Sequence, residues 1–177
     1  MTDSATTVSG LQPVDKAGLD SLIEKGKANP EAVRTLKART VAAGKFRQLN
    51  YIRNLPEHVV DEPPGLLGDD TAPNPSEAAL AALGSCLSVG ILANALAQGV
   101  TIRSLEIDLE GDINISAVWG AGATPDSVGF SAVRAAVKLD ADAPQETLDA
   151  LVAHATVWSP VANTFTRAVP LEVKRAG

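Results

Sequence analysis

Cys86 is the only thiol in the 177-residue chain, and it sits in the middle of an apolar run. A thiolate attacks peroxides, disulfides and acyl groups, and a cationic neighbour favours that form. A lone cysteine in apolar packing is instead a small, inert hydrophobe. On its helical face, at steps of three and four, stand Ala79, Ala82, Leu83, Val89, Gly90 and Ala93. These are mostly small, so another backbone or a second copy of the helix can approach closely. Other residue types give less. His58 and His154 lie far apart without metal-ligand spacing, so no metal is expected. Gly120, Ala121 and Gly122 form a loop without phosphate-cradle spacing. Asp69, Asp70 and the stretch "VVDEPPG" read as a solvated acidic loop ahead of the apolar run.

The element that must position Cys86 is well signalled. Asn74 can cap a helix, Pro75 suits its first position, and Glu77 follows the cap by three, a capping-box arrangement. Gly99 lies just past the run, where a left-handed residue ends helices. The spacing predicts a helix over 75–98, roughly 35 Å long at about 1.5 Å per residue. It is apolar nearly all round and so must be enclosed on most sides. Residues 78–97 have the length of a membrane span. However, Gly84, Ser85, Ser88, Gly90 and Asn94 interrupt them and no aromatic anchors flank them. The run therefore reads as a helix buried in protein.

Around it, residues 1–15 read as a loose arm. Leu19, Leu22 and Ile23 predict a short helix over 15–27, which Asn29-Pro30 ends. Val33, Leu36, Ala38 and Val41, then a turn at Gly44, then Phe46, Leu49, Tyr51 and Leu55 predict a hairpin. A short strand begins at His58 and runs into a Pro/Gly loop. Alternation of Ile102, Leu105, Ile107, Leu109 and Ile113 with charged residues predicts a half-solvated strand. After a Gly-rich loop over 119–129 come a strand over 130–142 and a helix from Pro144 with Leu148, Leu151, Val152 and Ala155 inward. "WSPVANTFTR" gives a second short helix, and residues 168–175 a closing strand. The order β-β-β-α-β-β-α-α-β is α+β. Residues 1–30 are expected to be an N-terminal arm and 31–177 one domain.

Only 3% of the chain is aromatic, so Ala, Val and Leu must build a thin core, which favours a dimer that shares it. A net charge of −6 argues against nucleic acid as a partner, because no basic stripe neutralises phosphates. It is also the wrong sign for an anionic membrane surface. The polar opening "MTDSATTVSG" lacks the pattern of a secretory leader, and the single cysteine fits a soluble protein of a reducing cytoplasm.

Two blocks, "NPSEAALAALGSCLSVGILANALAQGVTIRSLEIDLEGDI" and "SPVANTFTRAVPLEV", resemble the central helix with its following strand, and the closing segment, of the OsmC/Ohr family (osmotically inducible protein C and organic hydroperoxide resistance protein). The similarity extends in element order over 33–173. It implies antiparallel sheets around long central helices, in an intertwined homodimer. It also implies thiol-dependent reduction of organic hydroperoxides without a cofactor. Cys86 matches the family's peroxidatic cysteine. The resolving position is Ser159, which places this chain with single-cysteine members. A sulfenic acid formed on Cys86 then needs an external thiol. The family's activating carboxylate, ten residues before the cysteine, falls on Ser76; Glu77 is one step later and is also the capping residue. The family's arginine lies in the early strands, where Arg39, Arg47 and Arg53 stand, with Arg47 and Arg39 the first candidates. Trp158 and Ser85, next to Ser159 and Cys86, are expected at the pocket. The alternatives are a non-peroxidatic dimer that binds a small apolar or electrophilic molecule, and a protein that carries a thiol adduct on Cys86.

Overall fold

The helix that carries Cys86 is closed at both ends by local hydrogen bonds. The computed structural model describes residues 11–120, 124 and 128–177; residues 1–10 of the expected arm, and Ala121 and Gly122 of the glycine loop, lie outside the described residues. Helix α2 runs Pro75–Ala97. The Glu77 N–H donates to Asn74 Oδ1 at 2.9 Å, and the Asn74 N–H donates to Glu77 Oε2 at 2.8 Å. This reciprocal box satisfies two of the amides that a helix start leaves orphaned. At the other end Gly99 takes φ +73°, and the Val100 N–H closes back on the Ala95 carbonyl at 2.9 Å.

In chain order the elements are α1 (Lys16–Ala28), β1 (Arg39–Gly44), β2 (Arg47–Tyr51), β3 (His58–Val60), a 3-10 turn (Pro64–Leu66), α2, β4 (Ile102–Ile113), α3 (Ile115–Val118), β5 (Phe130–Ala141), α4 (Gln145–Trp158) and α5 (Pro160–Thr166). Two antiparallel sheets form, β1-β2-β3 and β4-β5, so the class is α+β. Contacts divide the chain into two units: Ile23–Ala82, and Leu83–Gly177 with the segment that ends at Leu22.

In the first unit the β1–β2 hairpin pairs Val41 with Leu49 and turns through Gly44 at φ +128°. The hairpin is shorter than its apolar pattern predicts: Val33 and Leu36 are 93% and 92% exposed. Arg39 pairs with Tyr51, and beyond Tyr51 the chain turns away through Arg53 at φ +54°. Residues before Arg39 therefore have no β2 partner.

In the second unit β4 and β5 pair over their length, with Ile107 opposite Val137 and Leu109 opposite Ala135. Their outer face carries the expected charges as cross-strand ion pairs: Arg134 with Asp112 and Glu110, Lys138 with Glu106 and Asp108, Arg103 with Asp140. All are exposed and screened by solvent, so they order the sheet face more than they stabilise the fold. The inner face packs on α2 and α5, where Leu83, Leu87 and Ala162 meet Ile107, Leu109 and Val133. Gly84 permits the close approach: a Cβ there would lie 2.6 Å from Leu109 Cδ1. Gly90 does the same against α4, where a Cβ would meet that of Ala155 at 3.1 Å. By length and composition α2 could cross a bilayer. Its buried residues Leu83, Gly84, Leu87, Ile91 and Ala95 belong to this protein core, but Ala82, Ser85 and Val89 are exposed, so among the described residues the helix is enclosed on one side and not on most sides as its sequence predicts.

One expected element is absent from the described residues. Residues 168–175 form no strand. Val169, Leu171 and Val173 alternate as a strand would, but are 61%, 85% and 84% exposed. Alternation supplies propensity only; a strand also needs an edge to bond to, and Pro170 removes one amide from any ladder.

Candidate thiol site

Cys86 is half-buried on α2. Facing it is Ser159, the residue between α4 and α5, which is only 3% exposed. The Ser159 hydroxyl donates to Cys86 Sγ at 3.1 Å and accepts from the Ala162 N–H at 3.0 Å. A hydroxyl has one proton and two lone pairs. Here the proton is committed to sulfur and one lone pair to the start of α5, where Ser159 is the N-cap. Asn163 Nδ2 locks the turn by donating to the carbonyls of Val157 and Ser159 at 2.9 and 2.8 Å. Pro160 pre-sets the first helical residue. The Ser-Pro-Val-Ala-Asn run thus sets one oxygen against one sulfur at a hydrogen-bonded turn between two helices.

The other expected pocket residues lie outward. Trp158 ends α4, is 72% exposed, and stacks on His154 with ring centroids 6.0 Å apart. Ser85 is exposed. Within this unit, neither walls the sulfur.

The charged candidates belong to the first unit. Arg39 is held over the ring of its cross-strand partner Tyr51, 4.2 Å from the centroid, a cation–π contact. Arg47 donates from Nε to Thr71 Oγ1 at 3.1 Å and lies 4.0 Å from Asp61 Oδ2. Glu77 is engaged in the capping box described above.

Asp61 corrects the expectation of a solvated acidic loop: it is 1% exposed. The loop folds back on itself, with the Asp61 N–H on the Pro73 carbonyl and the Asp70 N–H on the Glu62 carbonyl. That brings Thr71 to Asp61, ten residues away. The Thr71 hydroxyl and N–H donate to Oδ2 at 2.6 and 3.2 Å, and the Glu62 N–H donates to Oδ1 at 2.9 Å. These donors, the Thr71 hydroxyl foremost, outweigh burial and hold the Asp61 pKa down at about 2. Glu62 behaves oppositely. Its Oε2 is buried with no partner among the described residues, and burial, then the charges of Glu77 and Asp61, push its pKa up. No periodic signal marks Asp61 in the sequence; only Pro63-Pro64 hints that the loop turns sharply.

A pH dependence follows. A carboxylate depressed in the folded state stabilises above its unfolded value, about 4, and that contribution is lost as pH falls through the folded value. Thermal melts of the wild type should be steady from neutrality to about pH 5 and fall most steeply between about pH 4 and pH 2. Asp61→Asn should melt lower at neutral pH and show a shallower acid limb. Asp112 and Asp140, depressed by hydrogen bonds from Arg134 and Arg103, add to this slope, and Glu62, raised by burial, opposes it.

The family model described as "OsmC-like protein" matches residues 68–174, more than half of the chain. The chain belongs to the OsmC family. Solved structures agree with this OsmC fold. An OsmC-like protein from Mycoplasma pneumoniae superposes with a TM-score of 0.65 at 14% identity, covering 76% of this chain and 89% of that one. An organic hydroperoxide resistance protein OsmC from Legionella pneumophila gives 0.52 at 22% identity, covering 76% and 91%. A Vibrio cholerae protein assigned to organic hydroperoxide resistance, with captopril bound in one of its active sites, gives 0.52 at 22% identity, covering 76% and 86%. No curated protein matches the sequence.

Proposed function

We propose that this OsmC-family chain reduces organic hydroperoxides through Cys86, with an external thiol completing each cycle. The observation that carries the reading is the 3.1 Å contact of Ser159 Oγ with Cys86 Sγ: a fixed hydrogen-bond donor faces the sulfur where a second sulfur would be needed for internal resolution. The Cys86 thiolate attacks the outer oxygen of ROOH. The O–O bond breaks, sulfur is oxidised to Cys–SOH, and the alkoxide leaves and takes a proton as ROH. An external thiol R′SH then condenses with Cys–SOH to give Cys–S–SR′ and water. A second R′SH releases R′SSR′ and restores the Cys86 thiol. Arg47 is the cation assigned to this chemistry, because Arg39 is occupied by Tyr51. The acting unit is read as residues 31–177, with 1–30 as an arm, in a homodimer with α2 helices back to back; the solvent-facing Ala82, Ser85 and Val89 of α2 support that pairing. A reducing cytoplasm would supply the thiol.

Stopped-flow consumption of cumene hydroperoxide with excess dithiothreitol tests the reading. The wild type should turn over, and Cys86→Ala should fall to the rate of dithiothreitol alone. Equal rates for the two proteins would reject it.

One observation favours a second reading: with Ser159 opposite the sulfur, no second thiol ends the oxidised state. Cys86 would then hold an adduct of a small electrophile, and the captopril site of the Vibrio cholerae protein is a precedent for small-molecule binding in this fold. A cavity of about 240 Å³ lined by Leu92, Ala95, Leu96, Val100 and Ile102 lies toward the C-terminal end of α2 and does not include Cys86, so it lends this second reading no support.

A further inference from the structure

We propose that Asp61 and Thr71 form a clamp that positions Arg47, holding the Nε side of its guanidinium so that the two terminal nitrogens are presented to an anion. The inference rests on Arg47 being the cation of the hydroperoxide chemistry proposed above. The chain of contacts runs one way. Arg47 Nε–H donates to Thr71 Oγ1, and the single proton of that hydroxyl donates to Asp61 Oδ2. Asp61 is in turn fixed by the amides of Thr71 and Glu62. Arg47 projects from β2 and Asp61 follows β3, two paired strands, so both ends of the clamp stand on one sheet.

Three comparisons within the chain set Arg47 apart. Arg134 spends Nε, Nη1 and Nη2 on Glu110 and Asp112. Arg103 spends Nε and Nη2 on Asp140 and the Ala141 carbonyl. Arg39 lies on the Tyr51 ring. Arg47 gives up Nε alone, and among the described residues its terminal nitrogens make no hydrogen bond, while its side chain is 41% exposed. The nearest carboxylate oxygen is 4.0 Å away with the Thr71 hydroxyl interposed, so the guanidinium is oriented without being covered by a direct two-point pair. Fixing one edge of a planar fork fixes the direction of the other two donors. A buried, ionised carboxylate behind it supplies an anchor that does not titrate near neutral pH. Such an arrangement favours a compact anion, a thiolate or the oxygen leaving a hydroperoxide.

The test combines kinetics with the arginine Nε–H region of an NMR spectrum. Thr71→Val removes the bridging hydroxyl and keeps the side-chain shape; Thr71→Ser keeps the hydroxyl. In the wild type the Arg47 Nε–H signal should be protected from exchange, and Thr71→Val should abolish that protection while Thr71→Ser retains it. For hydroperoxide reduction, Thr71→Val should lower kcat/KM by about tenfold to a hundredfold, as misaimed groups do. Thr71→Ser should stay close to wild type. Arg47→Ala combined with Thr71→Val should be no slower than Arg47→Ala alone, because both act through one guanidinium. A merely structural Thr71 would instead lower melting in both and slow the double variant further. An unprotected Arg47 signal, or one that Thr71→Val leaves unchanged, overturns the clamp whatever the kinetics. A protected signal with Arg47→Ala at full kcat/KM overturns the positioning role alone, since loss of turnover in Cys86→Ala would still uphold the thiol reading.

Discussion

Treated with one equivalent of an organic hydroperoxide, Ser159→Cys should lose both of its thiols and become lighter by two hydrogens, whereas the wild type should gain an oxygen or an adduct. The hydroxyl being replaced is already 3.1 Å from Cys86 Sγ and is held there by a capped turn. A disulfide needs sulfurs about 2.05 Å apart with β-carbons near 3.8 Å. A cysteine at this position has a longer Cβ–S bond than serine's Cβ–O, so a modest side-chain rotation closes the remaining gap. The cross-link spans positions 73 apart in sequence, for which the chain-entropy account gives about 4 kcal/mol of stabilisation. Loss of the serine cap on α5 offsets about 1 kcal/mol of it. Thiol titration and intact mass before and after oxidation, with melting compared under oxidising and reducing conditions, decide the matter. Two thiols still titratable after oxidation would mean that the side chains cannot meet, and that Ser159 is not a stand-in for a resolving residue.

Leu151→Ala should cost about 2–5 kcal/mol, a large share of a typical stability of about 5–15 kcal/mol. Leu151 and Ile91 are both fully buried; Ala155, one turn after Leu151 on α4, and Ala95, one turn after Ile91 on α2, are buried too, and Gly90 meets Ala155, so this part of the core is built largely from small residues. Small neighbours have no side chain to swing into a vacated space, so the cavity persists. With so few aromatic residues in the chain, each large aliphatic group supplies more of the core than usual. Urea titration should show the midpoint fall with an unchanged slope. Val157→Ala, on a residue 62% exposed, serves as the control and should change stability by less than about 0.5 kcal/mol. A Leu151→Ala cost as small as the control's would mean that the α2–α4 contact is loose.

Helix α2 was legible because its signals are local: Asn74, Pro75, Glu77 and Gly99 lie within reach of the backbone groups they satisfy, and the observed end differs from the expected one by one residue. Strands β4 and β5 were legible because one face is wet and the other dry. The site was less so. Cys86 stands out by its chemistry, but its contact with Ser159 is long-range, and it was anticipated only through the resemblance to OsmC proteins. Asp61 was misread because a buried carboxylate leaves no pattern in its neighbours; its donors come from a loop that returns ten residues later. Residues 33–36 and 168–175 carry strand-like side chains, but pairing depends on where another strand ends, and composition does not record that.

The single hydroxyl at Ser159 joins two helices through one oxygen. It ties the Cys86 sulfur to the first turn of α5, whose Ala162 amide leans on the same oxygen. Oxidation to Cys–SOH inserts an oxygen into that junction and adds a proton that must find an acceptor. Ser159 has one lone pair left to accept that proton, so an oxidised Cys86 would stay bonded to the turn that starts α5.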